Sequence, residues 1–285
     1  MEINNLGGGT VLFRNAIDVP QDDVISYLEK EKERWRDENF TIVRDESGKP
    51  IHAINKGGFI YELEDMNASP VRIQNLEHPF FKTCDEAVYL CLLEYIELFP
   101  AILQSLWWRS TGHVLCYEKG ASLGLHCDND VNYRFGAAPK EQHATRNVLS
   151  ALVYINDCTD DESVKYSFSG GHMEIPYFGI DIAPAKGDVL LMPANYVGAH
   201  EIKEVTRGSR YSYLSWFAQG SEDEQRGISP RITDTYYKNH GQWWLDRIIE
   251  DYDSHLRIKY PNQELVPEYL TAFRERKNDH RNDEI

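Results

Sequence analysis

Three side chains of this chain have the types and spacing of metal ligands. His126 and Asp128 lie two positions apart in LGLHCDND, and His200 lies downstream in YVGAHEI. On a strand, alternate residues share a face, so the first imidazole and the carboxylate project to one side and Cys127 to the other. Two imidazoles and one carboxylate occupying one face of an octahedron leave positions open, as in non-haem iron sites, whereas a structural zinc site is closed by four ligands. The spacing therefore predicts an open metal centre.

The H-x-D spacing alone is weak, because polar strand ends often contain it, and a hydrogen-bonded surface pair is the alternative interpretation. Arg210 favours the metal centre. It opens the segment RYSYLSWF ten positions after His200, and Ser212 shares its strand face. An inward-facing arginine in an apolar strand needs an anionic partner. A dicarboxylate co-substrate bound at the neighbouring metal would supply that anion, with a hydroxyl contact from Ser212.

The elements that must position these residues are short β-rich segments between turn residues. They fill residues 107–218, and their number and spacing predict an all-β sandwich or barrel. Residues 1–106 are predicted to supply a lead-in strand and two helices, the second one buried. Two capping-box spacings mark the expected helix starts, Asp18 with Gln21 and Thr83 with Glu86.

Loops and one hairpin are predicted for residues 40–75, which Gly57-Gly58 and Pro70 punctuate. Residues 219–285 are predicted to form a polar helical extension, with one helix starting at Gly241. We expect the three regions to form a single catalytic domain over residues 1–285.

Composition limits the partners of this chain. The 285 residues carry a formal net charge of −16, which repels phosphate backbones, so we expect no nucleic-acid partner. No apolar run approaches the ~20 residues of a membrane span, and we expect no membrane partner. The five cysteines are odd in number and lack C-x-x-C spacing, so a reducing, cytoplasmic location is expected.

The order of the motifs resembles that of the prolyl-4-hydroxylase-like Fe(II)/2-oxoglutarate-dependent dioxygenase family. In that family a tyrosine-bearing strand precedes H-x-D, a long loop and a Y-L/I-N strand, then two glycine-led segments, the distal histidine and a basic residue. This chain has the same order over residues 112–217: Tyr117, His126 with Asp128, VYIN at 153–156, GGHMEIP at 170–176, GDVLLMP at 187–193, His200 and Arg210. Together, these ordered features are far more specific than any one of them.

The resemblance implies a mostly β, double-stranded β-helix (jelly-roll, cupin-like) core with N- and C-terminal helices, an α+β fold. It implies Fe(II), 2-oxoglutarate as co-substrate and O2, with ascorbate as a stimulant. The implied iron ligands are His126, Asp128 and His200. Arg210 would pair with the far carboxylate of 2-oxoglutarate, assisted by Tyr117 and Ser212. His126, Asp128, His200 and Arg210 form the implied catalytic set.

Two departures from the family pattern concern the surroundings of the pocket. Asn147 stands where many relatives have Arg, and His172 stands where they have Glu or Thr. An ordinary strand histidine is the favoured interpretation of His172. The loop over residues 129–146 is long for a hairpin, and long loops beside a site are often functional. The predicted substrate contacts are Asn129, Asn132, Tyr133, Arg134, His143 and Trp216, although core packing explains Trp216 equally well.

The resemblance implies hydroxylation of an unactivated C–H group, with release of succinate and CO2. Asp128 fills the position that a halide would need, which favours hydroxylation over halogenation, while desaturation, cyclisation and epoxidation use the same residues. A small molecule, such as an amino acid or a natural-product intermediate, is the expected substrate. The alternatives are a peptidyl, prolyl-type hydroxylase and a non-catalytic cupin-like binding module. The sequence does not determine the oligomeric state.

Overall fold

The computed structural model describes residues 1–64, 68–106, 108–110, 112–129, 146–219 and 241–243. Their contacts divide the chain into two units. The first comprises residues 1–88, 112–130 and 150–215, and the second comprises residues 89–111, 131–149 and 216–285. The predicted single domain over residues 1–285 stays a prediction.

A hairpin opens the first unit and forms the edge of its larger sheet. Strand β1 (Glu2–Gly7) pairs antiparallel with β2 (Thr10–Arg14), as predicted for the lead-in strand. Strand β2 pairs in turn with β14 (Val189–Pro193). The side chains of Val11, Leu12 and Phe13 are buried, so this continuous apolar run anchors the N-terminus in the core.

The larger sheet continues through β10 (Arg146–Tyr154), β17 (Arg210–Gln219), β8 (His113–Tyr117) and β6 (Val71–Ile73). Its order in this unit is β1-β2-β14-β10-β17-β8-β6, with β10 and β17 extending into the second unit. Strands β8 and β17 are antiparallel neighbours, and their pairing places Tyr117 opposite Arg210.

A smaller antiparallel sheet has the order β13-β12-β15-β9. Its strands are β9 (Leu123–His126), β12 (Met173–Ile175), β13 (Ile180–Ile182) and β15 (His200–Ile202). A short pair, β11 (Ser169–Gly170) with β16 (Val205–Arg207), accompanies it. Two antiparallel sheets formed by strands that alternate between them make a double-stranded β-helix, so the predicted fold class is confirmed.

Helix α1 (Gln21–Asn39) buries Val24, Ile25 and Leu28 on its core side. Its N-cap is Pro20, without a side-chain cap, so the predicted capping box of Asp18 and Gln21 is wrong. Proline suits a helix start because its fixed φ is already helical and it has no N–H to satisfy. The Gln21 side chain instead donates to the Ile155 carbonyl at 3.2 Å, which ties the helix to the sheet.

Helix α2 (Phe80–Leu98) spans the boundary between the units and begins three residues before Thr83. The capping box of Thr83 and Glu86 is therefore wrong, since both residues lie inside the helix. The first turns follow Pro79, whose carbonyl accepts from the Lys82 N–H. The prediction of a buried helix is confirmed, with Val88 and Leu92 fully buried.

A small antiparallel sheet separates the two helices along the chain. It contains β3 (Phe40–Arg44), β4 (Pro50–Asn55) and β5 (Ile60–Glu62). The sequence predicted loops and one hairpin, so the second hairpin is an addition. Asn55 closes it by accepting from the N–H groups of Gly57 and Phe59.

The described part of the second unit contains a further strand pair. Strand β7 (Trp108–Ser110) pairs with the end of β17 and with β18 (Gly241–Trp243). The helix predicted to start at Gly241 is wrong at these three residues, because strand pairing overrides the local helical pattern there. The remaining helical extension, residues 220–240 and 244–285, lies outside the described residues. No helix within the described residues is long and apolar enough to cross a membrane.

Candidate metal centre

His126 and His200 are opposite one another on the neighbouring strands β9 and β15. Their ring centroids are 4.4 Å apart. Strand β9 ends at His126, so Asp128 lies in the turn that follows rather than on the predicted strand. The turn still brings its Oδ1 to 3.5 Å from His126 Nε2. The three candidate ligand atoms lie within 4.8 Å of one another, and no other such group occurs among the described residues.

Backbone carbonyls orient both imidazole rings. His126 Nδ1 lies 2.8 Å from the Gly124 carbonyl oxygen, and His200 Nδ1 lies 3.0 Å from that of Gly198. A carbonyl only accepts hydrogen bonds, so each Nδ1 carries the hydrogen and each Nε2 keeps its lone pair for a metal. Gly198 has to be glycine, because a Cβ there would lie 1.9 Å from the Pro193 carbonyl oxygen.

Burial favours the metal-binding form of His200. It lowers the pKa of this side chain, which is 4% exposed; Asp128 opposes the shift, while His126 and Arg210 add to it. A neutral imidazole is the form that binds metal. The donor set of two nitrogens and one carboxylate, with no thiolate, suits Fe(II), so these residues fit the ion that the family resemblance implies.

Arg210 is 1% exposed and lies opposite Tyr117 on β8. Its guanidinium carbon is 5.1 Å from the Tyr117 ring centroid, and its Nη1 donates to Ser212 Oγ at 3.2 Å. Its Nε and Nη2 have no acceptor among the described residues. Buried donors without acceptors are costly, so this guanidinium suits an anionic ligand such as a carboxylate.

Tyr154 is a residue that the sequence reasoning missed as part of the site. Its ring centroid is 5.5 Å from the Arg210 guanidinium carbon, and it is fully buried on β10. Burial raises the pKa of Tyr154 and of Tyr117 to about 12, against the opposing charge of Arg210, so both remain neutral donors. The Tyr154 hydroxyl donates to the sulfur of Met173 at 4.0 Å. The VYIN motif was the available signal, but it did not indicate this contact.

Arg72 and His113 also lie on the strand face that carries Arg210, and no sequence motif indicated either of them. Arg72 is opposite Leu115 on β8, and His113 is opposite Leu214 on β17. Residues opposite each other in antiparallel strands share a face. Arg72 Nη2 lies 3.5 Å from His113 Nδ1. Burial lowers the pKa of His113 to about 3, with Arg72 adding to the shift and Asp128 opposing it.

The predicted substrate contacts are distributed unevenly. The Asn129 N–H donates to the Ala194 carbonyl at 2.7 Å, and its Oδ1 is buried without a partner among the described residues. Trp216 is half-buried in the second unit. His172 Nδ1 lies 2.9 Å from Asp181 Oδ1, which gives that histidine an ordinary partner. The other predicted contacts, Asn132, Tyr133, Arg134 and His143, lie outside the described residues.

Residues 112–218 match the family described as the 2OG-Fe(II) oxygenase superfamily. A PKHD-type hydroxylase of Saccharophagus degradans is 28% identical over 116 residues, which cover 40% of this chain and 46% of the relative. The match thus spans less than half the length of that relative. The resemblance predicted from the motifs is confirmed over this core, and it implies Fe(II), 2-oxoglutarate and O2 as cofactor and co-substrates.

Three solved structures with low sequence identity are similar in outline. A viral collagen prolyl hydroxylase from Paramecium bursaria chlorella virus-1 is 14% identical (TM-score 0.44, 74% of this chain and 96% of that chain). A Pseudomonas putida prolyl-4-hydroxylase is 18% identical (TM-score 0.42, 75% and 94%). A Trichoplax adhaerens prolyl hydroxylase in complex with a hypoxia inducible factor peptide is 16% identical (TM-score 0.46, 78% and 88%).

Proposed function

We propose that this chain is an Fe(II)- and 2-oxoglutarate-dependent oxygenase that hydroxylates an unactivated C–H group of a small molecule. The proposal rests on a candidate metal group and a buried arginine that both lie in the first unit. An open group of His126, Asp128 and His200 lies within electrostatic reach of a buried guanidinium, Arg210, whose Nε and Nη2 have no acceptor among the described residues. A module that only binds metal has no need for a buried carboxylate clamp.

His126, Asp128 and His200 would hold Fe(II), which supplies O2 activation coupled to oxidative decarboxylation of 2-oxoglutarate to succinate and CO2. Arg210 binds the far carboxylate of 2-oxoglutarate through its Nε and Nη2, and the hydroxyls of Ser212 and the two buried tyrosines complete that pocket. These groups are neutral or paired once the dicarboxylate is bound, so they exclude water without leaving a buried charge unmatched.

Arg72 and His113 support a small, polar substrate. Arg72 Nη2 donates to His113 Nδ1 at 3.5 Å on the face that carries Arg210. Arginine binds carboxylates through a planar fork, and a neutral imidazole adds one donor or acceptor. An amino acid or a similar carboxylate-bearing molecule offers matching groups. A peptidyl hydroxylase is the second candidate, because prolyl hydroxylases occur among the similar structures.

Succinate formation from 2-oxoglutarate tests this function. The Fe(II)-loaded protein is incubated with O2, 2-oxoglutarate and either a panel of free amino acids and related carboxylates or a panel of proline-containing peptides. Stimulation by a free carboxylate above the basal rate, lost in Arg210→Gln, supports the proposal. Stimulation by peptides alone favours the peptidyl hydroxylase. Absence of any succinate from a folded, iron-loaded protein contradicts both and favours the cupin-like binding module.

A further inference from the structure

Each of the three candidate ligands is held by a second contact behind it. The carbonyl oxygens of Gly124 and Gly198 hold the two imidazoles. Ser150 Oγ holds the carboxylate by donating to Asp128 Oδ2 at 2.6 Å. Two of these contacts come from the backbone, and the third comes from the side chain of Ser150.

We infer that Ser150 is a positioning residue that restricts Asp128 to one ligand oxygen and so keeps a coordination position open for O2. The two oxygens of the carboxylate are differentiated in the structure. Oδ1 lies 3.5 Å from His126 Nε2, among the three candidate ligand atoms, whereas Oδ2 accepts from the Ser150 hydroxyl. This inference rests on the proposed function.

The number of coordination positions on the metal explains why Asp128 should bind through one oxygen only. Around an octahedral ion the three side chains would take three of six positions, and a chelating 2-oxo acid would take two. One position would then remain for O2. Carboxylates bind metals through one or both oxygens, and a carboxylate whose second oxygen is free can take that last position. A hydrogen bond to Oδ2 opposes this second mode.

The location of Ser150 makes the contact rigid. Its side chain is 0% exposed, and it lies on β10, an interior strand of the larger sheet. The Asp128 side chain is only 8% exposed, so bulk water does not readily replace the hydroxyl. A charge-assisted O–H···O bond of this length is among the stronger hydrogen bonds in proteins.

Nitric oxide binding measures the open position without requiring turnover. The anaerobic Fe(II)–2-oxoglutarate protein is titrated with nitric oxide and monitored by the S = 3/2 electron paramagnetic resonance signal, and iron affinity is measured by chelator competition. For Ser150→Ala we expect at least about tenfold weaker nitric oxide binding, with iron affinity unchanged or higher. Ser150→Thr, which keeps the hydroxyl, restores the wild-type values. Ser215→Ala is the matched control, since Ser215 is equally buried and its Oγ has no partner among the described residues.

Nitric oxide binding in Ser150→Ala equal to that of the wild type, at equal iron affinity, overturns the inference and leaves Ser150 a packing residue. If the alanine variant does not fold, Ser150→Thr and Ser150→Val provide the same comparison at matched volume. A folded wild type that binds iron but gives no 2-oxoglutarate complex overturns the proposed function as well, whereas a wild-type complex that Ser150→Ala leaves unchanged overturns only the role of Ser150.

Discussion

Arg210 and Tyr117 lie directly opposite each other on β17 and β8, with the guanidinium carbon 5.1 Å from the centre of the phenol ring. The pairing keeps a charge inside the sheet without neutralising it. A cation over an aromatic face is attracted to it, but the ring cannot accept the in-plane N–H groups. The buried guanidinium therefore stays available for an anion.

Replacing Arg210 should separate fold stability from co-substrate binding. In Arg210→Met we expect the free energy of unfolding without ligand to be unchanged or higher by about 1–3 kcal/mol, because buried donors without acceptors are removed. 2-Oxoglutarate with Fe(II) should raise the melting temperature of the wild type and not that of the variant. Thermal unfolding with and without 2-oxoglutarate checks both statements. A variant that is still stabilised by 2-oxoglutarate would contradict the assigned role of Arg210.

The second glycine of the GGHMEIP segment should affect the same pocket. Gly171 has φ +61°, and a Cβ there would lie 2.9 Å from Val205 Cγ2 and 3.1 Å from Arg210 Cδ. We expect backbone strain in Gly171→Ala to lower the free energy of unfolding by about 1–2 kcal/mol, and the two close contacts to lower it further. The substitution should also weaken 2-oxoglutarate binding, because the added methyl group displaces the alkyl chain of Arg210.

Gly179 provides the control for that substitution. It has φ +63°, and a Cβ there would meet nothing within 4 Å. Gly179→Ala should therefore show the backbone strain alone and leave 2-oxoglutarate affinity unchanged. Equal effects of the two substitutions on that affinity would show that Gly171 does not support Arg210. Chemical denaturation and equilibrium binding of 2-oxoglutarate measure the two quantities.

Acid pH should destabilise the protein through His113. Burial lowers its pKa to about 3, so below the ordinary value near 6.5 the unfolded chain binds a proton that the folded chain does not. The contribution of neutral His113 to the free energy of unfolding is therefore complete above pH 6.5 and declines as the pH falls toward 3. Between pH 7 and pH 5, the free energy of unfolding of the wild type should fall by about 2 kcal/mol more than that of His113→Gln. Denaturation at both pH values, with His172→Gln as control, checks this, and parallel pH profiles would contradict it.

A buried lysine behind the site strands should matter for stability. Lys32 on α1 is 4% exposed, and its Nζ lies 2.5 Å from Glu29 and 3.0 Å from Glu118, the residue that follows Tyr117. Without Lys32, Glu118 keeps only Arg36 as a cationic partner, and the buried alkyl chain of the lysine is also lost. We expect Lys32→Ala to lower the free energy of unfolding by about 3 kcal/mol, the low end for a broken buried pair.

The exposed pair of Lys165 and Asp22 supplies a control for the buried one. Their side chains are 65% and 74% exposed, so solvent screens the attraction. Lys165→Ala should leave the free energy of unfolding unchanged within error. A loss in Lys32→Ala no larger than that of Lys165→Ala would show that Lys32 does not tie α1 to the core.

The candidate metal ligands could be singled out from the sequence because their signals are local. The H-x-D spacing, the distal histidine and the arginine opening an apolar strand are each visible in a short segment. What it could not predict is register. That His126 faces His200, and that Arg72 and His113 share a strand face with Arg210, depends on which residues of distant segments pair, and this is decided by the assembled sheet.

The predictions of the two helix starts were wrong for a different reason. Capping-box spacing is a three-residue pattern, and it occurs by chance. Pro20 caps α1, and α2 begins directly after Pro79, so a fixed proline φ outweighs a potential side-chain cap at both positions. Ser150 and Tyr154 were missed because both lie within an apolar strand pattern, where a hydroxyl gives no sign of its partner.

An anaerobic titration of the metal-free protein with Fe(II) and 2-oxoglutarate, monitored by visible absorption, tests whether iron and co-substrate bind together at this site. If His126, Asp128 and His200 hold the iron and Arg210 anchors the co-substrate, a weak charge-transfer band grows to saturation and is absent in Asp128→Ala. A folded wild-type protein that binds Fe(II) and shows no such band at saturating 2-oxoglutarate would contradict the account.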